Sequence, residues 1–300
     1  MKYSIITFYK YVDIGDPLTL MEDLQEFCRS NNLFGRILLG TEGINGGVSG
    51  SLEEVKKFKE FIVKNPLFAN LTFREQSSGL EPYQKLVVQL RKEVVAFGEE
   101  VNLKNTAEHI SPAKLKSWLD NDEDFILLDT RNEYEIKIGK FKNALGLPID
   151  SFREFPDAVK KLTNLKDKKV VTYCTGGVRC EKASAFMKEH GFKNVFQLEG
   201  GIINFANQFP NEYFEGSCFV FDNRIASKIS SVTLNTCSFC TSKTDEYINC
   251  HNLDYDKLFI ACASCSKGMN GTCSVECKSA PRQRVGRGKQ AKVFQDHVSA

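Results

Sequence analysis

A cysteine held between an apolar strand and a helix is the feature that most constrains this chain. In VVTYCTGGVRCEKAS (170–184), residues 170–173 are apolar and β-branched enough for a buried parallel strand. Residues 181–190 have helical periodicity, closed by Gly191. Cys174 therefore sits in a loop entering a helix N-terminus, where exposed amides and fixed partial positive charge favour an anion and lower a thiol pKa. Arg179 adds a permanent positive charge. Gly176 and Gly177 lack Cβ atoms, so backbone N–H groups between Thr175 and Val178 can turn inward as an anion-binding nest.

Two classes of thiol enzyme use such a cradle, and loop length separates them. A cysteine-dependent phosphatase needs its arginine at the sixth position after the nucleophile, to enclose a phosphate. Here arginine stands at the fifth, and position 180 is cysteine. The shorter loop suits a sulfur carried as a persulfide, and in this respect the segment resembles the rhodanese family. ILLDTRNEYEIKIGKFKNALGLPI (126–149) is similar to the aspartate-arginine strand end that opens a rhodanese domain, with Asp129 and Arg131 in those places. FQLEGGI (196–202) resembles its closing glycine turn. The resemblance implies an α/β domain with a parallel sheet over 101–220, Cys174 and Arg179 as catalytic residues, and Thr175, Gly176, Gly177, Val178, Asp129 and Arg131 around the substrate loop. Cys180 reads either as a resolving thiol that attacks an oxidised or persulfide sulfur on Cys174, or as a packing residue of the first helical turn.

Three hundred residues, 42% of them hydrophobic, suffice for two or three domains with buried cores. A net charge of +2 excludes little. No run approaches the length of a membrane span, and MKYSIITFYK lacks the long apolar core of a signal peptide, so a cytoplasmic protein is expected.

Residues 1–100 read as a separate domain. Strand-like YSIITFY (3–9) precedes an amphipathic helix from Pro17 to Ser30, stopped by Asn31 and Asn32, and apolar RILLG (36–40) follows. GGVSG (46–50) gives a further strand, Ser51 with Glu54 makes a capping box for a helix to about Asn65, and LTFRE (71–75) and KLVVQL (85–90) are extended. The order βαββαβ predicts a ferredoxin-like α+β sandwich. TEGINGGVSG (41–50) is rich in glycine for a strand connection, which predicts a tight turn and a glycine-marked bulge, or else close approach of backbone to a ligand or to the next domain.

Seven of the eleven cysteines lie between 237 and 277, within a cysteine-rich segment assigned to 221–300. Their paired spacing is that by which two sulfurs turn toward one tetrahedral metal ion, and a reducing compartment favours structural zinc over disulfides. Cys237, Cys240, Cys262 and Cys265 suit a first site; Cys250, Cys273 and Cys277 with His251 suit a second, other pairings being equally allowed. Beyond them, SAPRQRVGRGKQAK (279–292) carries five basic residues and no acid, suited to phosphate contacts or to a solvated end. Trp118, on a helix opened by Ser111-Pro112, reads as core.

The three parts together, GTEGINGGVSG, YCTGGVRCEKAS and the cysteine-rich end, resemble the bacterial oxygen-dependent tRNA uridine(34) hydroxylase family. That resemblance implies hydroxylation of the wobble uridine at carbon 5, with molecular oxygen as co-substrate, tRNA bound at its anticodon region, and the loop cysteine required. At one place the chain departs from the family: a cysteine is usual five positions after Cys250, where Tyr255 stands. Residue types alone point to a sulfurtransferase, and a noncatalytic RNA-binding adaptor is a third reading. The four histidines (His109, His190, His251, His297) are scattered, none begins a His-x-Asp or His-x-Glu pair, and no strand leads into G-x-G-x-x-G, so neither a non-haem iron site nor a dinucleotide fold is indicated.

Overall fold

The computed structural model describes residues 2–255 and 257–284; the part of the basic segment beyond 284 lies outside the described residues. The N-terminal part is built from β1 (Tyr3–Tyr11), α1 (Pro17–Ser30), β2 (Phe34–Gly40), β3 (Gly43–Gly50), α2 (Leu52–Ile62), β4 (Phe73–Ser78) and β5 (Leu86–Leu90). Asp16 caps α1 by accepting from the amides of Leu18 and Thr19, Asn32 takes a positive φ just past its end, and Ser51 and Glu54 close the capping box that starts α2. The strands order β4-β1-β3-β2-β5, the ferredoxin-like arrangement with a fifth strand added in parallel beside β2.

Strand alternation divides this sheet into two faces. Ile6, Phe8, Ile37, Leu39, Ile44 and Val48 point to α1 and α2 and form the core with Leu24, Phe58 and Phe68. The alternate positions, Thr7, Tyr9, Arg36, Leu38, Asn45 and Arg74, face the other way, toward the central part of the chain. The expected bulge in the glycine-rich segment is absent. β3 runs unbroken through Gly46 and Gly47 and pairs in continuous register with β1 and β2. Gly47 is needed because a Cβ there would lie 2.4 Å from the Tyr83 hydroxyl.

The central part has β6 (Glu108–Ile110), α3 (Pro112–Asp120), β7 (Ile126–Asp129), α4 (Glu133–Ile138), β8 (Gly139–Phe141), β9 (Leu145–Gly146), α5 (Phe155–Lys160), β10 (Lys169–Tyr173), α6 (Val178–Glu189), β11 (Asn194–Leu198) and α7 (Gly201–Gln208). Its parallel sheet orders β6-β11-β10-β7-β9. This is the rhodanese-like α/β architecture. Trp118 is core, packed edge-on against Phe196.

Helix α6 is buried from Arg179 to Met187. One side packs on the parallel sheet and the other meets the N-terminal part, so its polar residues face protein and must be paired. β12 (Phe214–Phe219) pairs with β8 and with β13 (Ala226–Lys228). The small cysteine-rich end holds the ribbon β14 (Tyr247–Asn249) and β15 (Leu258–Ile260) and the short helices α8 (Ala263–Gly268) and α9 (Val275–Lys278). No helix among the described residues is long and apolar enough to cross a membrane.

Candidate active site between two sheets

β10 ends at Tyr173 and delivers Cys174, almost fully buried, into the loop that starts α6. Gly177 occupies the left-handed region at φ 97°, which turns its N–H onto the Cys174 Sγ at 3.0 Å. The closing glycine turn supports the same loop from behind. Ile202 and Ile203, in the first turn of α7, donate backbone N–H groups to the carbonyls of Cys174 and Thr175 at 3.0 and 3.1 Å. A Cβ on Gly201 would lie 2.4 Å from the Cys174 carbonyl oxygen, so this close approach requires glycine.

Burial by itself would raise the Cys174 pKa. Hydrogen bonding from the Cys180 thiol, the Arg179 guanidinium and the loop amides of Arg179 and Gly176 outweigh it and bring the thiol down to about 6. Cys180 is fully buried beside it, also near Thr130, and burial and the Cys174 thiolate push its own thiol upward. The two sulfurs form a donor–acceptor pair in which Cys174 carries the negative charge.

Arg179 does not reach over the cysteine freely. It donates Nη1 and Nη2 to the two carboxylate oxygens of Glu135 at 2.7 and 2.8 Å, and its guanidinium lies 5.5 Å from the Phe221 ring centroid. Sequence reasoning did not single out Glu135, although it lies inside the segment 126–149. Asp129 and Arg131 occupy a different place from the loop residues. Both are fully buried, forked together at 2.7–3.2 Å, and Arg131 also donates to the carbonyl of Gly139 at 2.7 Å. They brace the junction of β7, α4 and β8 beneath the loop and do not line the cavity.

That cavity, about 350 Å³, lies above the loop. Its floor is Cys174, Thr175, Gly176, Val178 and Arg179; its opposite wall is the open face of the N-terminal sheet. The wall is held in place by paired groups of α6. Glu181 accepts from the Tyr9 hydroxyl at 3.0 Å and from Gln197 Nε2 at 3.0 Å, and meets His109 Nε2 at 3.0 Å. Burial opposes its ionisation, but the hydrogen bonds from His109, Gln197 and Tyr9 hold the carboxyl below its ordinary value. Lys182, nearly inaccessible, reaches Glu42 at 2.9 Å and Glu93 at 3.1 Å. Glu42 belongs to the glycine-rich segment and also accepts from the Val94 amide at 2.7 Å.

Three family models match in succession: a UPF0176 acylphosphatase like domain over 3–94, a Rhodanese-like domain over 111–208, and a Rhodanase C-terminal region over 215–278. A tRNA uridine(34) hydroxylase of Cytophaga hutchinsonii is 39% identical over 287 residues, covering 94% of this chain and 92% of that protein. The chain belongs to this hydroxylase family. Relatives of the same name from Protochlamydia amoebophila and Staphylococcus haemolyticus are 36% and 37% identical and cover 90% and 91% of their own lengths.

The family's cysteine-rich end also takes a defined arrangement here. The thiols of Cys237, Cys240, Cys262 and Cys265 lie within 4.8 Å of one another, with Cys240 and Cys262 sulfurs 3.8 Å apart. Four sulfurs at that separation are the donor set of a tetrahedral ion with metal–sulfur bonds of about 2.3 Å. A second group gathers Cys250, Cys273 and Cys277. His251 is not part of it, contrary to expectation: its ring packs over Gly271, where a Cβ would stand 2.4 Å from the imidazole, and glycine makes room for it there.

Proposed function

We propose that this protein hydroxylates uridine 34 of tRNA at carbon 5, with molecular oxygen as co-substrate and Cys174 as the essential thiol. The observation that carries this reading is similarity over the whole length to hydroxylases of that name, combined with a depressed thiol facing a cavity between two sheets. A free-standing sulfurtransferase needs no second sheet over its cysteine, and a noncatalytic adaptor needs no thiolate.

In this reading Cys174 is the nucleophile, the loop amides and Arg179 hold its anionic form, and Glu135 orients Arg179. Thr175, Gly176, Gly177 and Val178 bound the reacting atom, while Asp129 and Arg131 act from beneath as a brace. Cys180 donates a hydrogen bond to the thiolate and is placed to resolve an oxidised sulfur on Cys174. The thiolate has two available roles: reaction of sulfur with oxygen, or addition to uracil carbon 6. In the second, the carbon–carbon π pair moves toward the carbon 4 oxygen and carbon 5 becomes nucleophilic.

The working division is a ferredoxin-like part (1–100), a rhodanese part (101–220) and a cysteine-rich part (221–300), in a cytoplasmic enzyme that takes the anticodon region of tRNA. Zinc at the 237–277 cysteines would contribute folding free energy and no chemistry.

Labelled oxygen gas tests the reading. Replacing oxygen by sulfur and inserting one oxygen both add about sixteen mass units, so low-resolution mass does not separate them, whereas the label does. Incorporation into uridine 34 is expected. An oxygen-independent product that requires a sulfur donor would overturn the proposal in favour of sulfur transfer.

A further inference from the structure

The glycine-rich strand and its neighbours present two rows of side chains to Cys174. Cross-strand register places Arg74, Thr7, Gly47 and Arg36 in one row, and Tyr9, Asn45 and Leu38 in the next. Strands lie about 4.8 Å apart, so the arginines stand on the outer two of four adjacent strands, roughly 14 Å from each other along the row. Between them Thr7 is small and the Tyr83 hydroxyl lies over Gly47.

The charges of this wall are uneven. Arg179 is paired with Glu135 and Arg224 with Asp222. Arg36 and Arg74 make no ion pair with a described residue. Arg74 stacks over the Tyr9 ring at 4.6 Å and lies against Gly176 of the cysteine loop, with its Nε buried and without a hydrogen-bond partner. A buried guanidinium nitrogen with no acceptor is costly unless a ligand supplies one. Asn45 has its amide fixed, since Nδ2 donates to the Val94 carbonyl at 3.0 Å. That leaves its Oδ1 as an acceptor in the cavity wall.

We propose that the open face of the N-terminal sheet is the nucleotide-reading wall of the site. Asn45 accepts the N3–H of uracil, and Arg36 and Arg74 take the phosphates on either side of one extruded nucleotide. The inference rests on the reading of uridine 34 as substrate and adds the residues that select it. A cavity of about 350 Å³ lies at the small end of the range for ligand pockets, suited to one nucleotide and too small for a stacked pair. Enzymes that act on a base commonly take it out of the stack and read its edge. Cytosine has an acceptor at N3, so an acceptor at Asn45 rejects it.

The test measures binding without turnover. The full chain carrying Cys174→Ser is titrated with a fluorescent anticodon stem-loop RNA bearing uridine at position 34, and with the same RNA bearing cytidine there. Arg36→Ala and Arg74→Ala should each weaken both RNAs and reduce the slope of log affinity against log salt by about 0.7–0.9, one phosphate contact's worth. Asn45→Ala should bring the uridine-to-cytidine affinity ratio close to one with little change in that slope. Arg36 is exposed, so its substitution leaves the fold intact, and Asn45→Ser repeats the second arm with a smaller packing change. Unaltered salt slopes in both arginine variants, or an unaltered base ratio in both Asn45 variants, would overturn the proposal. Because the inert chain is used, failure of oxygen chemistry registers in the labelling experiment and not here.

Discussion

Glu135 and Arg179 meet through two parallel hydrogen bonds in a site from which water is almost excluded. The carboxylate fixes the plane of the guanidinium, and the guanidinium supplies one of the fields that lower the Cys174 pKa. A fork of this kind is directional as well as attractive.

Glu135→Gln removes one charge of a buried pair and strands the other. Such a change costs about 3–5 kcal/mol. Denaturant unfolding of the variant should show a loss in that range together with reduced modification; a loss below about 1 kcal/mol would mean that Arg179 finds another partner.

Cys174 should react as a thiolate well below the pH where ordinary cysteine does. Above a pKa of about 6 the sulfur is anionic and alkylates quickly; below it, protonation removes the nucleophile. The rate of iodoacetamide labelling at this residue should therefore rise with pH through about 6 and level off by neutrality. Arg179→Ala removes a stabilising cation and should move the midpoint upward, with modification reduced less completely than the abolition expected of Cys174→Ser. Full activity in Cys174→Ser would refute the site.

Cys180→Ser separates a resolving thiol from a packing one. Serine keeps a hydroxyl donor in place of the thiol, so the Cys174 midpoint should stay low in either case. Only a resolving role predicts that the native chain, treated with peroxide, forms a Cys174–Cys180 disulfide while the variant accumulates over-oxidised Cys174. Peptide mass spectrometry after oxidation reads the difference.

The loop at Cys174 was legible because its signals are local: a β-branched strand, two glycines and a helix start within fifteen residues. The first helix and its stop at Asn31 were legible for the same reason. Glu135 was not, since nothing in EYE distinguishes it from Glu133 until α4 turns one inward and leaves the other outside. In the glycine-rich segment the tight turn stands at residues 41–42, but no bulge follows it: glycine weakens a strand on its own, and between β1 and β2 the ladder on both sides overrides that preference. Tyr9 and Glu181 are 172 residues apart, and no periodicity carries information over that distance.

Lys182 shows what such distant contacts contribute. It is the cation common to Glu42 and Glu93, which come from the N-terminal part and its connection to the rhodanese part. Lys182→Ala should cost about 2 kcal/mol, below the full range for a buried pair because both carboxylates keep some solvent. Limited proteolysis should then cut the connection near residues 91–107 sooner than in the native chain. Unchanged cleavage there would show that the hydrogen bonds of Glu181 hold the two sheets together without it.

The cysteine-rich end supplies the last prediction. The cluster at its centre is made largely of cysteine, with Phe259 and Ala261, and its other apolar residues, Tyr247, Leu258 and Ile260, pack outward against Ile138 and Phe219, which leaves too little to fold so small a segment unaided. Purified protein should therefore hold one or two zinc ions, the first at Cys237, Cys240, Cys262 and Cys265. The second group offers three sulfurs and should release its ion first, since a three-thiolate site leaves one position to solvent. On titration with a chelator, the loss of metal should come in two steps, and protease sensitivity of 237–277 should follow the second step while the Cys174 alkylation profile stays unchanged. Metal content below about a tenth of an equivalent, in protein never exposed to chelator, would rule out the structural-metal account.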